Sequence, residues 1–300
     1  MKKKTYLFAL MTMALTLGSC SNNEDGIGGE TSKYITVSTS IGNMTRVATD
    51  AKGGQTFEEG DEISVYAWTG APTVAPETSE RVVNNAINKL TNGSWISTPQ
   101  MLWKNNREKH YFIGVYPTAA ISDLSAGEYT FDANKQTESD LLVAVNPDGL
   151  SYSADAQQTV PLTFTHVMAK LAVNLTYKNQ WGGIPTVEKV VVGNAAKEAT
   201  INYLTKVVTP STTAKEDFSL PEITENTKYV SVIIPQEEVT QLTIVIGGKN
   251  FVYDNGTPFK LESGKITTVN LEVGRDEIKL GDVKITNWED GSTFSGEALN

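Results

Sequence analysis

Alternation of apolar and polar residues with a period of two runs through most of this chain, while helical periodicity is weak almost everywhere. Successive side chains of a strand point to opposite faces, so such a pattern commits a chain to half-buried strands. "YITVSTSI" puts Ile35, Val37, Thr39 and Ile41 on one face, and "DEISVYAW" sets Ile63, Val65 and Ala67 against Tyr66 and Trp68. "HYFIGVY", "DLLVAV", "KLAVNLTY", "EKVVVG" and "YVSVIIP" continue the pattern.

The turn signals agree. Asn92-Gly93 and "NPDG" (Asn146 to Gly149) mark turns in the first half. In "LTIVIGGKNFVYDNGTPFKLESGKITTVNLEV", Gly247-Gly248, Asn255-Gly256 and Ser263-Gly264 separate β-rich runs. Asn-Gly favours type I′ hairpins because both central residues need positive φ, so this segment reads as an antiparallel meander of four strands. Leu204 to Asn226, polar and holding Pro210 and Pro221, reads as a long surface connection. Many short strands at close spacing argue for an all-β sandwich, and there are too many for one. The expected fold is all-β, with two tandem β-sandwich domains.

The N-terminus reads differently. Lys2, Lys3 and Lys4 precede an apolar run from Tyr6 to Leu17. That run is too short for a bilayer core, which needs about 20 residues, and suits an export signal. Leu17-Gly18-Ser19 then leads to Cys20, the only cysteine. This resembles the lipobox of bacterial lipoproteins, and the resemblance implies a diacylglycerol thioether on Cys20, which becomes the new N-terminus. The competing reading is an ordinary signal peptide with an incidental cysteine. Residues 1–19 are thus the expected signal and 20–32 a flexible tether. Ser21 to Asp25 is similar to the acidic tag of surface-exposed lipoproteins of Bacteroidota.

Composition excludes some functions. Net charge is −10 and no basic patch stands out, so nucleic acid is not an expected partner. The two histidines, His110 and His166, sit among β-type runs without zinc-type spacing, and read as structural rather than as ligands or bases. No Walker A, GxSxG or HExxH motif occurs. Glu58-Glu59 and Asp61-Glu62 lack the spacing of an EF-hand loop and read as a solvated turn. The five tryptophans could form a sugar-stacking platform, but read more simply as packing. No catalytic residue, metal ligand or cofactor is expected beyond the acyl lipid on Cys20, and no enzyme activity.

Five stretches together resemble the fimbrillin family of Bacteroidota, whose members form type V pili. They are "ITVSTSIGNMTRV", "FEEGDEISVYAW" (similar to F-x-x-G-D-x-I-x-V-x-A), "HYFIGVYP", "PLTFTHVMAKLAVNL" and "IKLGDVKITNWEDG". The resemblance spans nearly the whole chain after the lipobox. It implies two domains of transthyretin-like type, placed here at 33–160 and 161–300. It also implies that an Arg-specific protease cuts after the first strand, here between Arg46 and Val47. The displaced strand would carry Ile35, Val37 and Ile41, together about 5–9 kcal/mol when buried. A domain is stable by only about 5–15 kcal/mol, so the vacated groove would need refilling. The candidate donor is the C-terminal run of Ile278, Leu280, Val283 and Ile285, whose phase slips at Gly281-Asp282 as at a bulge.

The function implied is a structural or accessory subunit of a cell-surface fimbria serving adhesion. Its partners would be other copies or related pilin subunits through strand exchange, the outer membrane through the lipid, and a host or bacterial surface receptor. The alternative is a lipoprotein that stays anchored, as a fibre base or a glycan-binding module with exposed coplanar tryptophans. A third reading, a secreted hydrolase, needs two carboxylates facing across a cleft.

Overall fold

Two kinds of alternation build the sheets, and they separate strands buried on both faces from strands buried on one. The computed structural model describes residues 33–42, 56–153 and 158–288. It holds nineteen strands and one 3₁₀ turn (Thr78–Glu80), with no α-helix among the described residues. The protein is all-β, as its alternation dictates.

The first half contains β1 (Thr36–Ile41), β2 (Glu62–Thr69), β3 (Val83–Thr91), β4 (Ser94–Thr98), β5 (Lys109–Tyr116), β6 (Gly127–Thr130), β7 (Leu142–Ser151) and β8 (Thr159–His166). All but β6 form one seven-stranded sheet in the order β1-β8-β7-β5-β2-β3-β4. The sheet rolls over until its ends meet. The Ile35 amide donates to the Met101 carbonyl (3.0 Å), the Trp103 amide to Lys33 (3.2 Å), and the Trp95 indole to Thr39 Oγ1 (2.9 Å). Ile63, Val65, Ala67, Phe112, Leu162 and Phe164 fill the interior of this roll.

The second half contains β9 (Ala169–Tyr177), β10 (Val187–Ala196), β11 (Glu198–Asn202), β12 (Val207–Pro210), β13 (Lys215–Ser219), β14 (Glu222–Thr224), β15 (Lys228–Ile233), β16 (Gln236–Ile246), β17 (Lys249–Leu261), β18 (Lys265–Val273) and β19 (Ile278–Asn287). A four-stranded sheet, β13-β10-β16-β17, faces a five-stranded one, β14-β15-β9-β18-β19. A small sheet, β12-β11-β6, joins the halves, because β6 comes from the first and β11 from the second.

The central strands of the rolled sheet bury both faces. In β2, Ile63, Val65 and Ala67 point into the roll, whereas Tyr66 and Trp68 join the larger core shared with the second half. This is why "VYAW" alternates aliphatic with aromatic rather than apolar with polar. β8 runs across the boundary expected between residues 160 and 161 and pairs with β1 and β7. The chain enters the second half's sheets at Ala169, the first residue of β9.

Three local expectations need correction. Asn92-Gly93 does turn between β3 and β4, with φ of 51° and 72°. Asn146–Gly149, by contrast, lies inside β7 at a register shift against β5, with Asn146 Oδ1 accepting from the Gly149 amide at 2.8 Å. Asn255-Gly256 lies inside β17, where residues 255–258 face a single residue of β16 between Gln241 and Val239. Both segments lie at register irregularities inside a strand rather than at hairpin turns, and in the first Gly149 takes a φ of 63°. The meander therefore has three strands, and its last step leaves the sheet, because β18 pairs in parallel with β9 rather than with β17. Leu204–Asn226 is not a bare connection either. It carries β12, β13 and β14, short edge strands whose exposed side chains hide the period.

Candidate functional site

β1 is the strand on which the functional reading turns. It pairs in parallel with β8 over six residues, Thr36 opposite Thr159 through Ile41 opposite Phe164. Parallel neighbours cannot be joined by a tight turn, so β1 is a separate insert completing the sheet rather than one arm of a hairpin. The Gly42 amide donates to the Phe164 carbonyl at 3.0 Å, and the chain then passes into residues 43–55. Arg46, Val47 and Cys20 lie outside the described residues.

The two faces of β1 differ. Ile35 and Val37 are 3% and 6% exposed and belong to the interior of the roll with Met101, Trp103, Val160 and Leu162. Ile41 is half-buried against the same cluster. Outward, Thr36 donates to the Gln158 carbonyl and Ser40 to Thr163 Oγ1, at 3.3 and 3.2 Å. Full burial of Ile35 and Val37 contributes about 3–6 kcal/mol. The partial burial of Ile41 holds the three-residue sum below the upper end of the range expected from sequence.

What β1 covers is informative. β7 pairs with β8 only over Phe164–His166, so from Thr159 to Thr163 the ladder partner of β8 is β1. Val160, Leu162 and Phe164 are essentially inaccessible beneath it. Phe57 packs edge-on against Trp95, Tyr116 and Phe164 at 5.1–5.4 Å, an aromatic cluster that joins the interior of the roll. Without β1, the start of β8 presents an unpaired edge above an apolar trough, the arrangement that accepts an added strand.

The C-terminal run expected as a donor is β19, at the outer edge of the five-stranded sheet. It pairs only with β18, and its ladder skips Gly281, which bulges where the sequence phase slips. Ile278 and Leu280 are half-buried, whereas Val283 and Ile285 are 37% and 40% exposed. The structure does not bring β1 and β19 into one ladder within the chain.

The remaining candidates hold structural roles. His110 is fully buried; burial pulls its pKa below the ordinary histidine value, and its Nε2 accepts from the Lys104 amide at 3.0 Å. His166 Nδ1 lies 2.7 Å from Asp140 Oδ1. The acidic run is spent on turns: Asp61 accepts from the Glu58 amide, Glu59 from the Asn92 amide, and Glu62 pairs with Lys89. No metal-type cluster of His, Cys, Asp or Glu occurs among the described residues. Trp68, Trp103 and Trp288 are buried, and the indoles of Trp95 and Trp181 donate to Thr39 Oγ1 and the Val273 carbonyl. The tryptophans thus form no exposed coplanar platform. An open cleft of about 780 Å³ between the β2–β3 connection and Leu102–Lys104 has only the buried Trp68 and Trp103 among its walls as tryptophan.

Sequence reasoning missed Asp140, His166 and Lys170 as a group that grips Trp288. The signal was present only as single residues far apart in the chain.

Comparison with known proteins follows the geometry. The family model for fimbrillin-like proteins matches residues 45–288. Two candidate cell adhesion proteins share the fold. That of Bacteroides ovatus has a TM-score of 0.65 at 17% identity, covering 85% of this chain and 98% of that one. That of Bacteroides uniformis has a TM-score of 0.63 at 18% identity, covering 85% and 99%. A fimbrial protein of Bacteroides vulgatus has a TM-score of 0.51 at 13% identity, covering 85% and 99%. No curated protein matches the chain in sequence.

Proposed function

Since the chain belongs to the fimbrillin-like family, we propose that it is a structural or accessory subunit of a cell-surface fimbria. In this reading it is exported as a lipoprotein on Cys20 and held at the outer membrane. It is cut after Arg46 and assembled with other subunits by refilling the groove that β1 vacates. Adhesion is the output of the fibre.

The observation that carries the reading is β1 itself. It is an inserted parallel strand, buried through Ile35 and Val37 and the ladder partner of six of the eight residues of β8, and it is followed at once by the segment that contains Arg46. A cut there severs the link to β2 and leaves β1 held only non-covalently, by apolar burial worth about 3–6 kcal/mol and a ladder that any extended strand can reproduce. The chain has three other arginines. Arg81 is buried and donates to the Ile121 and Ser122 carbonyls, whereas Arg107 and Arg275 sit in loops with backbone amides bonded to Asn105 and Gln180. Arg81 is thus shielded, and the exposed Arg107 and Arg275 are the competing sites for an arginine-specific protease among the described residues.

The test is to treat the chain from residue 21 with such a protease, then follow mass and size. The reading expects one early cut after Arg46, loss of the 21–46 peptide, and SDS-resistant oligomers. A cut chain that keeps its peptide and stays monomeric under gentle warming contradicts it.

A further inference from the structure

The residue that follows β19, Trp288, is buried, and its ring is stacked on the last residue of the strand that pairs with β1. Along Ile278–Trp288 the side chains are exposed or half-buried until Trp288, which is 7% exposed. Its ring stacks on the His166 imidazole, centroids 4.1 Å apart and 9° from parallel, and Lys170 Nζ lies 4.2 Å from the ring centre. Its amide donates to the Gly264 carbonyl at 3.2 Å, while its buried Nε1 has no hydrogen-bond partner. Stacking and the nearby cation therefore hold this indole, and the hold depends on where His166 stands.

His166 is the last residue of β8, opposite Leu142 in β7, with its ring oriented by Asp140. Two residues earlier, Phe164 pairs with Ile41 of β1 and accepts from Gly42. From Thr159 to Thr163 the ladder partner of β8 is β1. One strand thus carries the seat of β1 along its length and the seat of Trp288 at its end.

We propose that Trp288 is a latch that keeps β19 on its own sheet, and that β1, acting through β8 and His166, keeps the latch closed. Departure of β1 frees the start of β8, loosens His166 and lets β19 detach. An uncut subunit would then hold back both its groove and its C-terminal strand, and one event would release the two together. This rests on the reading that β1 is removed in use. The latch itself is a property of the monomer.

Hydrogen exchange of residues 278–287, read by mass spectrometry on the monomer fraction, tests it. A site for a specific protease is placed within residues 43–55 of the chain from residue 21, so that β1 can be released whether or not Arg46 is cleaved in nature. Release of β1 is expected to speed exchange of β19 at least tenfold, and adding back a peptide of residues 33–42 to slow it again. In His166→Ala, β19 is expected to exchange fast before and after release. Equal rates with and without β1 overturn the coupling. Should the strand-free chain not stay folded, intact variants carry the test. Trp288→Ala and His166→Ala must both speed β19, and Trp288→Phe, which keeps a ring on His166, much less. An unchanged rate in either alanine variant overturns the latch. Oligomer formation is scored separately: oligomers that form while β19 in the remaining strand-free monomer is still protected sink the latch alone, and a freed β19 without oligomers sinks the fimbrial reading alone.

Discussion

Ile35→Ala separates a strand that belongs to the working protein from one that is discarded. Ile35 is 3% exposed among Met101, Trp103 and Val160, beneath a backbone fixed by its bond to Met101. An isoleucine-to-alanine change at such a site costs about 2–5 kcal/mol, transfer and cavity together. With a urea m-value of about 2–3 kcal/mol/M, the midpoint of the uncut chain falls by about 0.7–2.5 M. Ser38→Ala, on the exposed face of the same strand, stays within about 0.5 kcal/mol and serves as the control. In the proposed assembly the fibres have lost β1, so Ile35→Ala should leave their resistance to urea unchanged. Urea unfolding of the uncut chain, beside urea dissociation of fibres from the same variant, measures both. Fibres weakened as much as the precursor, or a precursor that does not notice the change, would refute the reasoning.

Other expected outcomes follow from the same geometry. Arg46→Ala should leave the chain uncut and monomeric on SDS gels of surface material, whereas Arg107→Ala should not. Val283→Asp with Ile285→Asp, both on the exposed edge of β19, should change monomer stability by about 1 kcal/mol or less yet lower the yield of oligomers if that strand is donated. His110 is held neutral by burial, its folded pKa below the unfolded value, so the unfolded chain binds the extra proton. Stability should therefore fall as pH drops below the unfolded histidine value of about 6.5, by up to roughly 1.4 kcal/mol per pH unit. In urea titrations from pH 7.5 to 5.5, His110→Gln should flatten that part of the slope, and an unchanged slope would remove His110 from the account.

Strand identity was legible in this sequence because "YITVSTSI" and "KITTVNLEV" alternate cleanly. The bulge at Gly281 was legible as a break in phase. Which strand neighbours which was not. Asn146–Gly149 and Asn255-Gly256 carry the residues of a hairpin turn, and only the register of β5 and β16 shows that they lie at irregularities inside strands. The parallel pairings of β1 with β8 and of β9 with β18 join residues about a hundred apart in the chain, with no local signal. β12 to β14 were hidden because edge strands keep polar side chains. The burial of Ile35 and Val37 could be read from alternation, whereas the grip of His166 on Trp288 depends on two distant segments meeting.

The most direct test of the account is the N-terminal residue of this protein taken from the surface of its own cells, read by mass spectrometry. The account predicts a start at Val47 in material that runs as a ladder of SDS-resistant oligomers. A lipid-modified start at Cys20 in monomers alone would contradict it, and would leave a permanently anchored lipoprotein with β1 in place.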